Sequence, residues 1–381
     1  MAITEPTPEE KKREEELAKE VIGIKEELRK TNRQLAMVMD LNKCIGCQLC
    51  SMACKNTWTK KEGREYMWWN TVNTMPGKGT PKDFEKSGGG YKVKEFKDES
   101  DQFTVREPIR GKLPTRKEFG DNWKFNHEEI RTGKFGTTVL QAKNPDGTTP
   151  DWGMNWDEDQ GALKIDYPNS FYFYLPRICN QCTYAPCIDA CPRHAIYKRE
   201  EDGIVLIDQD RCKGYRFCLE ACPYKKIYFN FETLTSMKCI FCYPRVEKGV
   251  ANACARQCTG RARFVDYIDD ENGPVYKLVK KWKVALPLFP QFGTEPNVYY
   301  VPPLAPPRIA GDGKLDLSKD RIPLKYLVYL FGPEVEQSLS RLRQEMQRTR
   351  DGEKSELMEI LIAKRWEKMF GPLKTDPIKS L

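Results

Sequence analysis

Fifteen cysteines are the residues of this 381-residue chain whose type and spacing promise chemistry. They fall in four short blocks and nowhere else. The first is Cys44-x2-Cys47-x2-Cys50-x3-Cys54, and the second is Cys179-x2-Cys182-x4-Cys187-x3-Cys191. The third, Cys212-x5-Cys218-x3-Cys222, has Tyr215 where a middle cysteine is expected. The fourth, Cys239-x2-Cys242-x11-Cys254-x3-Cys258, carries a longer loop. Four blocks of four, less one, leave no cysteine over.

Three chemistries use clustered cysteines. Disulfides are disfavoured, because neighbours within one tight loop make poor bridge partners and the total is odd. Structural zinc wants two C-x2-C knuckles per ion. The fourth block alone fits that pattern, but a C-x2-C-x2-C-x3-C run does not. Iron–sulfur clusters use this run: three thiolates of one loop hold three corners of a cubane. The fourth cysteine, often followed by proline, turns to the other cluster of a pair. Cys191-Pro192 and Cys222-Pro223 both carry that proline. Only two histidines, His127 and His194, are present, too few for His-ligated sites. His194 reads as a surface residue or one that supports a ligand.

Spacing also pairs the blocks. The second and third start 33 residues apart, the layout of a two-cluster ferredoxin, so the first and fourth, 195 residues apart, pair with each other. Crossing the fourth ligands groups Cys179, Cys182 and Cys187 with Cys222, and Cys44, Cys47 and Cys50 with Cys258. Cys239, Cys242 and Cys254 then take Cys54. Cys191, Cys212 and Cys218 remain as a set of three. A phenol is a poor cubane ligand, so a three-iron cluster is expected there, lacking the corner that Tyr215 faces. A four-iron cluster with water or another group at that iron is the alternative. The expected complement is three 4Fe-4S clusters and one 3Fe-4S cluster.

The elements that must position these ligands are short. A strand over Leu35–Asp40 leads into the first block. Between the second and third, Ala195–Tyr197 and Ile204–Ile207 flank Asp202-Gly203 and predict a hairpin. Residues 1–34 predict an exposed, charged helix, with Leu17, Val21, Ile24 and Leu28 at helical spacing. Residues 55–178 hold six of the eight tryptophans, Trp58, Trp68, Trp69, Trp123, Trp152 and Trp156, and read as packing rather than as an electron relay. Pro76 to Gln102, with Gly88-Gly89-Gly90, reads as loop. Residues 264–310 are proline-rich with short strands. Helices are expected from Leu324 to Phe370, broken at Gly332-Pro333 and Asp351-Gly352. The fold class is therefore α+β: two ferredoxin-like two-cluster modules, a long loop-rich insertion and helical N- and C-terminal extensions. The expected divisions are 1–34 (charged helix), 35–60 with 236–265 (outer module), 61–170 (Trp-rich insertion), 171–235 (inner module) and 266–381 (wrapping loops and helices).

Composition excludes several classes. Mean hydropathy is −0.67, and no run of eighteen apolar residues is present, so no direct membrane span is expected. A net charge of +8 without a long basic run argues against nucleic acid as a partner. There is no Walker A and no G-x-G-x-x-G after a strand. Neither a hydrophobic signal region nor a twin arginine is found. Lys43, Lys55, Arg177, Arg193, Arg211, Lys213 and Arg216 lie near the ligands, where they offset the negative charge of thiolate-ligated clusters.

The blocks and their surroundings resemble one family. The resemblance rests on Cys44-Ile-Gly-Cys-Gln-Leu-Cys50, Glu65-Tyr-Met-Trp-Trp69, Arg177-Ile-Cys-Asn-Gln-Cys182 and Arg211-Cys-Lys-Gly-Tyr-Arg216. Ala221-Cys-Pro-Tyr-Lys-Lys226, Trp282-Lys-Val-Ala-Leu-Pro287 and Gly293-Thr-Glu-Pro-Asn-Val298 extend it, from about Gln34 to about Ile362. These are similar to the iron–sulfur beta subunit of the type II dimethyl sulfoxide reductase group of molybdoenzymes. The group includes respiratory nitrate reductase, nitrite oxidoreductase, selenate, chlorate and perchlorate reductases, and dimethyl sulfide and ethylbenzene dehydrogenases. The resemblance implies three four-iron clusters and one three-iron cluster, with Trp or Tyr at the position of Tyr215. It implies a non-catalytic electron-transfer role between a molybdopterin (bis-MGD) catalytic alpha subunit and a haem b gamma subunit. The chain length, Asn155-Trp-Asp-Glu-Asp159 and Asn297-Val-Tyr-Tyr-Val-Pro302 look like the periplasmic-facing branch. Members of that branch are exported folded by a signal on the alpha subunit, which implies an extracytoplasmic location, with the cytoplasmic face as the alternative. A nitrite/nitrate enzyme is favoured over the other substrates. The rival readings are a catalytic iron–sulfur enzyme using the site at Tyr215 and a free-standing polyferredoxin shuttle.

Overall fold

The computed structural model describes residues 7–97, 102–120 and 168–376. Trp123, His127, Trp152, Trp156 and Asn155–Asp159 lie outside the described residues. At the centre is a four-stranded sheet around Leu35–Asp40, whose six residues are all buried. A strand covered on both faces reads as a continuous apolar run rather than an alternating one, which is why Leu-Ala-Met-Val-Met stands out. It pairs antiparallel with Arg263–Tyr267 (Met39 opposite Arg263) and parallel with Val298–Val301 (Met37 opposite Val298). Leu286–Pro287 closes the other edge. The strand entering the first cysteine block therefore lies beside the strand leaving the fourth.

Ile196–Lys198 and Val205–Ile207 form the expected hairpin, with Ile196 opposite Ile207. Ile227–Asn230 and Thr235–Lys238 form a second one. Each hairpin follows a Cys-Pro step. Thr71–Met75 pairs with Phe173–Arg177, so the chain after the first block returns to the strand that opens the second. Trp68 and Trp69 are buried there. Pro76 to Gln102 is not all loop: Tyr91–Lys97 and Gln102–Pro108 form an antiparallel hairpin. Its many lysines and glutamates dilute the period-2 apolar signal of Tyr91 and Val93. Gly89 (φ +111°) sets that segment against the third block, since a β-carbon there would lie 2.8 Å from the Ala221 carbonyl.

The N-terminal helix spans Pro8–Glu27, with Leu17 and Ile24 exposed. Its ties to the body include Arg29, whose guanidinium donates to the Asp189 carboxylate, and the Leu28 carbonyl, which accepts from Lys198 N at 2.8 Å. The C-terminal helices are Leu324–Phe331, Val335–Arg350 and Glu356–Ile362. They break at Gly332 and at Asp351-Gly352, as the sequence predicts. Among the described residues, no helix is long and apolar enough to cross a membrane.

Candidate iron–sulfur sites

The first ligand loop runs from the central strand into the helix Leu49–Cys54. A chain wrapping a compact group must turn more tightly than strand or helix allows. Gly46 (φ +68°) and Gln48 (φ 60°) supply left-handed turns, and a β-carbon at Gly46 would sit 2.5 Å from the Tyr174 ring. Gln181, Arg216 and Cys242 take the same left-handed region in the other three blocks. Non-glycine residues seldom do so; such turns aim successive N–H groups into one concavity, a geometry that recurs at iron–sulfur sites.

Folding sorts the fifteen thiols into four sets. Cys179, Cys182, Cys187 and Cys222 line one cavity, walled by Pro186, Pro223, Lys226 and Lys238. Cys191, Cys212 and Cys218 line a second, with Tyr215 and Ser236. Cys54 faces Cys239, Cys242 and Cys254; burial and then their charges push its pKa well above the usual range. Cys44 is pushed up to about 11, by burial first, with Cys50 and Cys258 adding to it. Cys47 joins that set through Thr259, whose Oγ1 lies 3.5 Å from its Sγ. Among the described residues, no three His, Cys, Asp or Glu side chains converge on a single-ion site. A tetrahedral zinc site would draw four sulfurs to about 2.3 Å from one point; the Cys179 and Cys191 sets line cavities instead.

The sets form a row. Cys222 neighbours Cys218, Cys179 neighbours Cys239, and Cys50 neighbours Cys254. The order is thus the Cys191 set, the Cys179 set, the Cys54 set and the Cys44 set. Gln181 bolts the middle together: its Oε1 accepts from Val205 N at 2.8 Å and its Nε2 donates to the Cys239 carbonyl at 3.1 Å. The ends are open, with Cys47 exposed at one and Tyr215, 57% exposed, at the other. The Tyr215 ring stacks on Phe217 at 6.2 Å.

The donor set fits iron–sulfur clusters. Burial raises the thiol pKa of Cys218 and of Cys254 to about 12, and neighbouring cysteines add to each. Crowded, buried thiolates without a counter-charge are costly, and iron supplies that charge. Backbone N–H groups already point at sulfur: Ala195 N at 3.4 Å from Cys191 Sγ, Ser236 N at 3.4 Å from Cys212 Sγ, and Ala262 N at 3.3 Å from Cys258 Sγ.

The basic residues divide. Arg193, Arg211, Lys213 and Arg216 are exposed around the Tyr215 end. Lys43 donates to the Leu361 carbonyl at 2.7 Å. Lys55 and Arg177 are buried and bound to main-chain carbonyls, Lys55 to Met67 O at 3.1 Å and Arg177 to Tyr224 O at 2.7 Å. Sequence reading missed other enclosed cations beside the thiols. Arg263 is 1% exposed, donates to Asn70 Oδ1 at 3.1 Å, and faces Cys50, Cys254, Cys258 and Cys44. Lys226 and Lys238 are also buried beside thiols. Adjacency to Cys239 could have flagged Lys238; nothing near Arg263 in the chain marks it. His194 is exposed.

A family model described as a 4Fe-4S dicluster domain matches residues 170–267. Dimethylsulfide dehydrogenase subunit beta of Rhodovulum sulfidophilum is 52% identical over 338 residues, 89% of this chain and 98% of the relative. Selenate reductase subunit beta of Thauera selenatis is 53% identical over 335 residues, 87% and 97% of the two chains. Respiratory nitrate reductase subunit beta of Haloferax mediterranei is 53% identical over 336 residues, 87% and 91%. With identity this high across nearly whole chains, and its thiols gathered into four sets, the protein belongs to the family of iron–sulfur beta subunits found in dimethylsulfide dehydrogenase and in selenate, chlorate, perchlorate and respiratory nitrate reductases.

Proposed function

We propose that this chain is the electron-transfer subunit of a molybdoenzyme and passes single electrons between a molybdopterin catalytic subunit and a haem b subunit. Three 4Fe-4S clusters are assigned to Cys44, Cys47, Cys50 and Cys258; to Cys54, Cys239, Cys242 and Cys254; and to Cys179, Cys182, Cys187 and Cys222. A 3Fe-4S cluster is assigned to Cys191, Cys212 and Cys218. The blocks then form two ferredoxin-like modules, one from blocks two and three and one from blocks one and four. When bound, the clusters supply one-electron oxidation and reduction. The chain's own residues hold them in a row, exclude water with an apolar shell and neutralise their charge with Arg263, Lys226 and Lys238. The observation that carries this reading is Cys54 of the first block standing among Cys239, Cys242 and Cys254 of the fourth.

No catalytic site of its own is assigned. The relatives named as dehydrogenase and reductase subunits support a redox complex in which a catalytic partner selects the substrate; a nitrite/nitrate enzyme is our choice, in an extracytoplasmic compartment. Purification from the native source tests this. Expected are co-purification with a molybdenum subunit and a haem b protein, about fifteen irons per chain and a three-iron signal in the oxidised protein by electron paramagnetic resonance. A lone chain that exchanges electrons freely would establish the shuttle instead, and turnover by the isolated chain would establish an enzyme.

A further inference from the structure

We infer that Trp58 is a positioning residue for electron transfer: its indole N–H, aimed at a ligand sulfur, raises the reduction potential of the cluster assigned to Cys54, Cys239, Cys242 and Cys254. The inference rests on the cluster reading above. Trp58 lies four residues after Cys54, in a π-helical turn over Lys55–Thr59. Such wide turns are rare and concentrate at functional sites. Here the turn carries the indole across to a cysteine 184 residues away, where Nε1 donates to Cys242 Sγ at 3.1 Å.

Packing alone does not explain this contact. Trp58 is half-buried and lines an open groove with Lys61, Arg64, Tyr197 and Tyr243. An indole at such a rim can leave its N–H to water and still cover apolar surface; this one turns it inward to sulfur. Most of the other contacts to sulfur come from backbone N–H groups or from hydroxyls, such as Thr259 Oγ1 at 3.5 Å from Cys47 Sγ. Trp58 is a side chain whose donor a substitution can remove without touching a loop.

The sign follows from charge. One-electron reduction adds one negative charge, shared by the ligand sulfurs. A fixed N–H dipole pointing at sulfur stabilises the reduced state more than the oxidised one, which raises the potential. No proton moves and no bond breaks: one electron arrives from the neighbouring site on one side and leaves to the other.

The test is an electron paramagnetic resonance redox titration of the assembled complex carrying Trp58→Phe. At a fixed ambient potential the reduced-to-oxidised ratio of one four-iron cluster should fall about tenfold, a midpoint about 59 mV lower for a one-electron couple. The other three clusters should not move. Tyr243→Phe alters the same groove wall and should leave the midpoint in place; an equal shift there would point to groove hydration and overturn the inference. Should Trp58→Phe lose iron, the native protein labelled with 15N-indole tryptophan is the second measurement. A nitrogen coupling to the reduced cluster is expected, and its absence overturns the inference. Native spectra without four-iron signals would instead overturn the cluster reading itself.

Discussion

At the residue scale, the position that separates the third block from the others is Tyr215. Its phenol, largely exposed and stacked on Phe217, stands at the wall of the cavity that Cys191, Cys212 and Cys218 line. Tyr215→Cys is expected to supply the fourth thiolate and convert the site. The three-iron signal of the oxidised protein should vanish, and iron content should rise by about one atom per chain. Arg263 gives a second prediction. It is permanently charged and enclosed beside Cys44, Cys50, Cys258 and Cys254. Arg263→Gln removes the cation that two neighbouring thiolate sets share. Iron should be lost from those two sets while the Cys179 and Cys191 sets keep theirs, as iron analysis and spectra of the variant would show. The two residues differ in legibility. Tyr215 was visible as a break in a spacing, whereas Arg263 is one arginine among many until the sheet places Arg263–Tyr267 beside Leu35–Asp40.

At the element scale, the C-terminal helices are secured by discrete contacts. Ser355 begins the helix Glu356–Ile362: its Oγ accepts from Met358 N at 3.2 Å and donates to Glu345 Oε2 at 2.6 Å. Ser355→Ala removes a helix cap and should cost about 1 kcal/mol, read as a lower midpoint of thermal unfolding with the cluster spectra unchanged. Glu356 clamps this helix to the turn Lys277–Lys281, with Lys277 at 3.0 Å and Lys281 at 2.5 Å. The hydrogen bond from Lys281 leads in lowering its pKa from 4.5 to about 2. A carboxyl lowered on folding stabilises the protein above its unfolded pKa and loses that contribution as pH falls. The clamp should therefore hold above pH 4.5 and release toward pH 2. Partly exposed pairs contribute about 0–1 kcal/mol, so Glu356→Gln should flatten acid unfolding in that window by no more than this amount. Helix breaks at glycine were legible beforehand because glycine alone tolerates the required φ; the clamp was not, since its partners are 75 and 79 residues away.

At the scale of the whole molecule, the core is assembled around the four thiol sets rather than beside them. Cys50, Cys54, Cys182, Cys187, Cys218, Cys239 and Cys254 belong to the same buried cluster as Leu35, Val38 and Phe264. Removing iron by chelation should therefore leave crowded thiols inside the core, and the folded state should lose cooperativity. Calorimetry before and after chelation measures it; an unchanged transition would show that the core stands without iron. The helix Pro8–Glu27 lies mostly exposed. Its deletion up to Glu27 should leave all four cluster signals as they are.

The cysteines proposed as ligands were marked in the chain itself, because iron–sulfur loops demand cysteines at spacings that almost no other chemistry uses. So were the central strand and the hairpin between the second and third blocks, since both depend on local patterning. The tertiary structure decided what distance in the chain conceals. It seated Cys54 among thiols nearly two hundred residues away, enclosed Arg263 between two sets and turned Trp58 onto Cys242. Those contacts arise because burying the Leu35–Asp40 strand on both faces leaves Arg263–Tyr267 as its neighbour, and that pairing brings the first and last blocks together. Charge and hydrogen bonding at a sulfur act over a few ångströms of space, whatever the separation along the chain.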